Sequence, residues 1–205
     1  MKHFVRIFLF SILFHSFLAA PVTRGDDPDD KEEKEHIEAA KKLGDAVKKL
    51  VDAVENGKDV AKAAADLDKK DSLKHIMWAA FKSRDKGGVG VGTKKPDGVE
   101  PKLIIEMRRK NPMSADDLKN ESANLIQMAD IAKAIGEIAD LRTPPKNDPK
   151  DPKRTVVAWK RFTKMEKDGA QELIDAVKAN DAAKVSDATK NLYASCTNCH
   201  SVFRD

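Results

Sequence analysis

DAAKVSDATKNLYASCTNCHSVFRD, residues 181–205, decides how the rest of the chain is read. Val185, Ala188, Leu192, Cys196, Cys199 and Phe203 recur at intervals of three and four, so they share one face of an α-helix. Asp181 stands where the N-cap of that helix belongs. The face is apolar, and it carries both cysteines of the 205-residue chain. A terminal helix frays unless its apolar face is docked, so the stretch predicts an all-α domain whose last helix, 181–204, packs inward.

Upstream, the same spacing predicts a helix over 153–179, with Trp159, Phe162, Leu173, Ala176 and Val177. Another is predicted over 114–142, capped by Ser114 and carrying Leu118, Leu125, Ala129, Ala132, Ile135, Ile138 and Leu141. TPPKNDPKDP, 143–152, is a proline-stiffened connection between them. A short amphipathic helix is expected over 99–110, after a glycine-rich loop at 85–98. Before the loop, a helix runs over 58–84, or over 72–84 if DKKDS (68–72) breaks it and Asp71 or Ser72 caps a new start. Residues 26–57 read as a charged lead-in, 26–35, and an extra helix from Ile37 to the stop at Asn56-Gly57. No strand-like alternation and no internal repeat is visible. The expected architecture is an antiparallel four-helix bundle formed by 58–205, with the N-terminal helix packed outside it.

Residues 1–25 have the form of a secretory signal: a basic start, MKHFVR, then the apolar run IFLFSILFHSFLAA. The run is too short and too interrupted for a membrane span, which needs about 20 apolar residues. Cleavage is expected after Gly25 or Ala20, which makes the mature protein exported, with no stable membrane insertion. The 38 basic side chains then lose Lys2, Arg6 and Arg24, leaving them within one of the 34 acidic ones. The formal charge of +4 therefore belongs mostly to the leader, and nucleic-acid binding loses its main support.

Cys196-Thr-Asn-Cys199-His200 fits C-x-x-C-H, the attachment signature of c-type haem. Positions three apart lie on one helix face, so both sulfurs reach the two vinyl groups along one haem edge. His200 follows directly and is the expected proximal iron ligand. Attachment takes place outside the cytoplasm, where a signal peptide delivers the chain. Zinc would want four Cys or His ligands, and the mature chain adds only His36 and His75. A thioredoxin-like C-x-x-C belongs in a strand–helix context that this sequence lacks.

With the motif on the last helix of an all-α domain and Phe203-Arg204 after it, the chain resembles the class II cytochromes c, the cytochrome c-prime family. The similarity runs back through TVVAWKRFTKMEKDGAQELIDAVKANDAAKVSDATKNLYASCTNCHSVFRD, with Trp159 and Phe162 at that family's third-helix aromatic positions. Residues 114–205 match its last three helices, and 26–112 match poorly. The resemblance implies an up-down-up-down four-helix bundle with one covalent haem c near its end. It further implies a periplasmic protein of electron transfer or of small-gas binding, with dimers common. It gives Arg204 a haem propionate as partner, the plain alternative being a solvated terminal cation.

What faces the iron opposite His200 separates the two functions. In the resembled family a methionine from the first bundle helix fills the position in low-spin members, and an apolar side chain leaves it open in the others. An up-and-down bundle brings the start of its first helix beside the end of its last. Met77 then stands one to two turns into a helix capped at Asp71 or Ser72, the right place for a sixth ligand. His75 is close by but points to a different face, and ordinary core packing is the plain role of Met77. Met107, Met128 and Met165 read as core or surface.

KGGVGVGT, 86–93, lacks the spacing of a nucleotide-binding loop. It reads either as a plain helix–helix connection or as a segment packed over the haem edge. The sequence thus predicts a non-enzymatic, single-haem electron carrier cycling between Fe(II) and Fe(III), with redox proteins as partners and lysines guiding an acidic one. The alternative is a binder or scavenger of nitric oxide or carbon monoxide with five-coordinate haem. A catalytic role would need a distal acid–base group, which only His75 offers.

Overall fold

Ser114, Thr155 and Asp181 each end a connection and start a helix by the same device. Ser114 Oγ accepts from Asp117 N at 3.1 Å, Thr155 Oγ1 from Ala158 N at 3.0 Å, and the Asp181 carboxylate from Lys184 N at 3.0 Å. Each bond satisfies an amide that the first helical turn leaves without a partner. The computed structural model describes residues 28–203 apart from 59, 65, 66, 68–70 and 145. The signal-peptide reading of 1–25 and the role given to Arg204 lie outside the described residues.

Among the described residues there are seven α-helices and no strand. They are α1 (Pro28–Glu55), α2 (Val60–Ala64), α3 (Leu73–Phe81), α4 (Val99–Met107), α5 (Ala115–Leu141), α6 (Val156–Lys178) and α7 (Ala182–Phe203). Antiparallel α5, α6 and α7 form the main stack, with α6 in the middle. Ile131, Ile135 and Ile138 of α5, Leu173 of α6 and Leu192 of α7 are sealed in its core. Burying each such side chain contributes about 1.5–3 kcal/mol. Gly169 sets how closely α6 and α7 approach: a Cβ there would stand 3.2 Å from the backbone N and Cα of Leu192.

Of the two readings of the first bundle helix, the interrupted one fits: α3 starts after Ser72, and α2 is a separate short piece. The Ser72 side chain makes no capping bond. Two expectations need correction. Helix α1 begins at Pro28, not at Ile37, because its charged first turns are tied to distant parts of the chain. Glu32 accepts from Lys74 at 3.0 Å and Glu33 from Lys86 at 2.7 Å. Nor is α1 outside the core: Ala40, Val47 and Leu50 are fully buried in the same apolar cluster as α3 and α5.

The glycine-rich loop fits the plainer of its two readings, a helix–helix connection. Gly92 N donates to Gln127 Oε1 at 2.9 Å, and a Cβ on Gly92 would strike the Asn124 side chain at 2.3 Å. The loop therefore lies along the N-terminal half of α5. Ala139, at the other end of α5, is 12 to 15 residues on, or roughly 18–22 Å along the helix. It is there that α5 meets the region of the cysteine motif.

Candidate functional site

The end of α5, the start of α6 and the end of α7 meet beside the cysteine motif. Trp159, in the first turn of α6, donates its indole N–H to Ala139 O near the end of α5, at 2.8 Å. The Trp159 ring meets Phe203, in the last turn of α7, edge-on with centroids 5.0 Å apart, and Phe162 stands 6.2 Å from the same ring. Arg154 Nε donates to Val202 O at 2.9 Å, placing a cation on the carbonyl end of α7. Arg142, which caps α5, donates to the carbonyls of Asp71 and Leu67 just before α3. So the start of α3, the end of α5, the start of α6 and the end of α7 share one end of the molecule. Leu141 and Val157, 59% and 78% exposed, leave apolar surface on that end.

Within this end, Cys196 and Cys199 lie one turn apart on α7, half-buried and not bonded to each other. Burial, with the charge of Glu166 second, pushes the Cys199 thiol up to about 11 and raises Cys196 as well. Thiols held protonated in this way make poor redox nucleophiles. This argues against the thioredoxin-like reading from the chemistry of the site itself. His200, four residues from Cys196, occupies the exposed flank of the cysteine face.

The residue that periodicity did not single out is Glu166 on α6. It is 8% exposed and pairs with no side chain among the described residues, and its carboxylate oxygens still reach solvent. Desolvation pushes its carboxyl up from 4.5 to about 8. The antiparallel register explains its position. Gly169 abuts Leu192; one turn back along α6 is Glu166, and one turn on along α7 are Ser195 and Cys196. The signal was present in the sequence, since Phe162, Glu166, Gly169 and Leu173 form one helical stripe, with the carboxylate as its only charged member.

Met77 is half-buried on α3 and packs against the core cluster. His75 and Trp78 of the same helix turn toward α1. His75 Nε2 is 3.1 Å from His36 Nδ1, His36 Nε2 is 3.2 Å from Glu32, and the His36 and Trp78 rings are 4.8 Å apart. At 100° per residue, Met77 lies on the opposite flank of α3 from that face. Of the two candidate sixth ligands, His75 is held by His36 of α1, and Met77 packs against the core cluster. His36 and His75, the histidines a zinc site would recruit, are bonded to each other. No group of three or more His, Cys, Asp or Glu suited to a metal ion occurs among the described residues. Met128 is core, Met107 half-buried and Met165 38% exposed.

These residues suit a covalent haem better than the other occupants considered. Two thiols one helical turn apart and the rings of Trp159, Phe162 and Phe203 lie at this helix end. Comparison with known proteins adds no family: no family model, no curated protein and no solved structure matches the chain. Among the described residues, no helix is long and apolar enough to cross a membrane.

Proposed function

We propose that this chain is an exported, single-haem c-type electron carrier. Its haem would be held by thioether bonds to Cys196 and Cys199, with His200 as the axial iron ligand. Bound there, haem supplies reversible one-electron storage between Fe(II) and Fe(III). In this reading α3, α5, α6 and α7 are the four helices of a class II cytochrome bundle, and α1 is an added helix bound to α3. The observation that carries it is C-x-x-C-H near the end of α7, with both cysteines half-buried on the helix whose last turn meets the aromatic rings of α6.

The chain's own residues have separate tasks. Cys196 and Cys199 fix the group to α7, and their burial keeps competing thiol chemistry slow. Trp159, Phe162 and Phe203 exclude water from one side. Met77, on the flank of α3 turned away from α1, would supply the second protein ligand to the iron in the carrier reading. Arg204 would meet a propionate, as the resemblance implies. Lysines around this end would guide an acidic redox protein.

A second reading, a binder of nitric oxide or carbon monoxide with an open iron face, is favoured by the packing of α3. That helix lies chiefly against α1 and α5, not α7, so Met77 would have to reach past the core to ligate. One set of measurements separates the two. Produced with its signal in a host that matures c-type cytochromes, the protein should retain haem through a denaturing gel, and C196A/C199A should not. A low-spin ferric spectrum with a far-red methionine–iron band, lost in Met77→Ala, supports the carrier. A high-spin spectrum with ready carbon monoxide binding supports the open site. Wild-type protein without covalent haem would overturn both readings.

A further inference from the structure

The connection between α5 and α6 carries more exposed positive charge than its turn chemistry needs. From Arg142 to Arg161 the sequence has seven basic side chains and two acidic ones, while the rest of the chain after residue 25 has four more acids than bases. Both acids are engaged within the connection. Asp148 Oδ1 accepts from Lys150 N at 2.8 Å and Asp151 Oδ1 from Lys153 N at 2.9 Å, and Asp151 stands 3.6 Å from Arg154. Lys146, Lys150, Lys153, Lys160 and Arg161 are all exposed. The segment folds back against the start of α6: Asp148 N donates to Arg154 O at 2.9 Å, and Val156 N to Asn147 Oδ1 at 2.8 Å. The connection's lysines are therefore held at the end of α6 that carries Val157, which is 78% exposed. Leu141, 59% exposed, ends the helix that Trp159 ties to α6 through Ala139 O.

We propose that this basic, apolar-tipped end is a docking surface for an anionic lipid bilayer. Its lysines and Arg161 meet lipid phosphates, and Val157 and Leu141 enter the headgroup layer. The inference goes beyond the haem reading and does not depend on it.

Charge complementarity selects the occupant. Clusters of about four to eight cations bind anionic lipid, each charge near the surface strengthening the attachment about fivefold. Five are exposed here, and four of them are lysines. Lysines are point charges on flexible stems, which suit a mobile array of phosphates better than a fixed partner geometry. They can steer an acidic protein from a distance, but a protein interface is depleted in lysine and centres on aromatic anchors. The rings at this end are turned inward, Trp159 onto Ala139 O and Phe203, and Phe162 onto the same Phe203. Val157 and Leu141 alone are too small an apolar signal to hold a protein on a membrane, so attachment is electrostatic first and apolar second. The excess of acids elsewhere turns the rest of the molecule away from the bilayer.

The test is co-sedimentation of the exported, processed protein with vesicles of phosphatidylcholine and phosphatidylglycerol in equal parts, and with phosphatidylcholine alone. Wild type should bind the mixed vesicles and not the neutral ones. It should come off at about 1 M salt, where the screening length falls to about 3 Å. K146Q/K150Q/K153Q should weaken binding on the order of 100-fold, at about fivefold per charge. The control K41Q/K42Q/K48Q, which removes as many exposed lysines from α1, should cost far less. Val157→Asp replaces an apolar tip by a repelled charge and should weaken binding at least about fivefold. All these positions are exposed, so each variant should keep the wild-type circular dichroism. Equal loss in the α1 control would make the binding a matter of net charge and overturn the docking surface. Wild type bound to neither vesicle, or equally to both, overturns the proposal, and the first result leaves this end to an acidic protein. Haem attachment is read separately on the gel, so neither result bears on the haem reading.

Discussion

Glu166 makes a claim about stability that needs no haem. In the chain with free thiols its carboxyl titrates near 8, against 4.5 for the unperturbed group. A raised acid leaves stability intact below the unfolded-state value, because both states are protonated there. As pH rises from 4.5 to 8, only the unfolded chain gives up the proton, and the fold loses stability. Glu166→Gln removes that loss. Its melting temperature should match wild type near pH 4 and exceed it at pH 7, by on the order of 3 kcal/mol when converted to free energy. Thermal melts of the haem-free chain at the two pH values check this, and a constant difference between them would contradict it. The same residue shows what was and was not legible. C-x-x-C-H is read at once because its chemistry lies within five consecutive residues. Glu166 sits in KMEKDGA among charges that face water, and only the close approach of Gly169 to Leu192 turns it inward.

At the scale of helices, boundaries set by local chemistry were legible and those set by distant partners were not. Ser114, Thr155 and Asp181 cap their helices through amides three residues away. Gly57, with φ +59°, ends α1 where Asn56-Gly57 predicts a stop. The first turns of α1 are different, since their partners Lys74 and Lys86 lie 42 and 53 residues on. The His36–His75 bond belongs to the same seam. A double-mutant cycle of His36→Ala and His75→Ala should give a coupling of about 1 kcal/mol by denaturant unfolding. A coupling of zero would mean that the two rings do not interact across α1 and α3. The α6–α7 seam offers a sharper test. In Gly169→Ala the new methyl meets the Leu192 backbone at 3.2 Å, and helix backbone yields less readily than a side-chain tip. The variant should therefore lose about 1–3 kcal/mol, although alanine is the better helix former by roughly 1 kcal/mol. If G169A is the more stable protein, the seam is looser than described.

The whole molecule raises the question of whether α1 and α3 unfold with the cysteine-bearing helices or apart from them. The sequence favours separation, because 26–57 match the resembled family poorly and read as an appendage. Packing favours union. Val47, Leu50 and Val51 of α1 enter the same cluster as Ile76 of α3 and Ile135 of α5, and burying three such side chains contributes about 5–9 kcal/mol. That is comparable with the entire stability of an ordinary domain, about 5–15 kcal/mol, so the fold cannot shed α1 and remain folded elsewhere. The chain's two tryptophans report on the two regions separately. Trp78 lies against His36 of α1, and Trp159 against Phe203 beside the cysteines. Fluorescence-detected urea unfolding of Trp78→Phe should follow the cysteine end, and that of Trp159→Phe the α1–α3 seam. Each variant is to be measured also by far-ultraviolet circular dichroism, which reports all helices at once. In a single cooperative unit, fluorescence and dichroism give the same midpoint within each variant, whatever stability the substitution itself removes. If the fluorescence of Trp159→Phe changes at lower urea than its dichroism, α1 and α3 form a separable layer, and the cysteine-bearing helices stand without them.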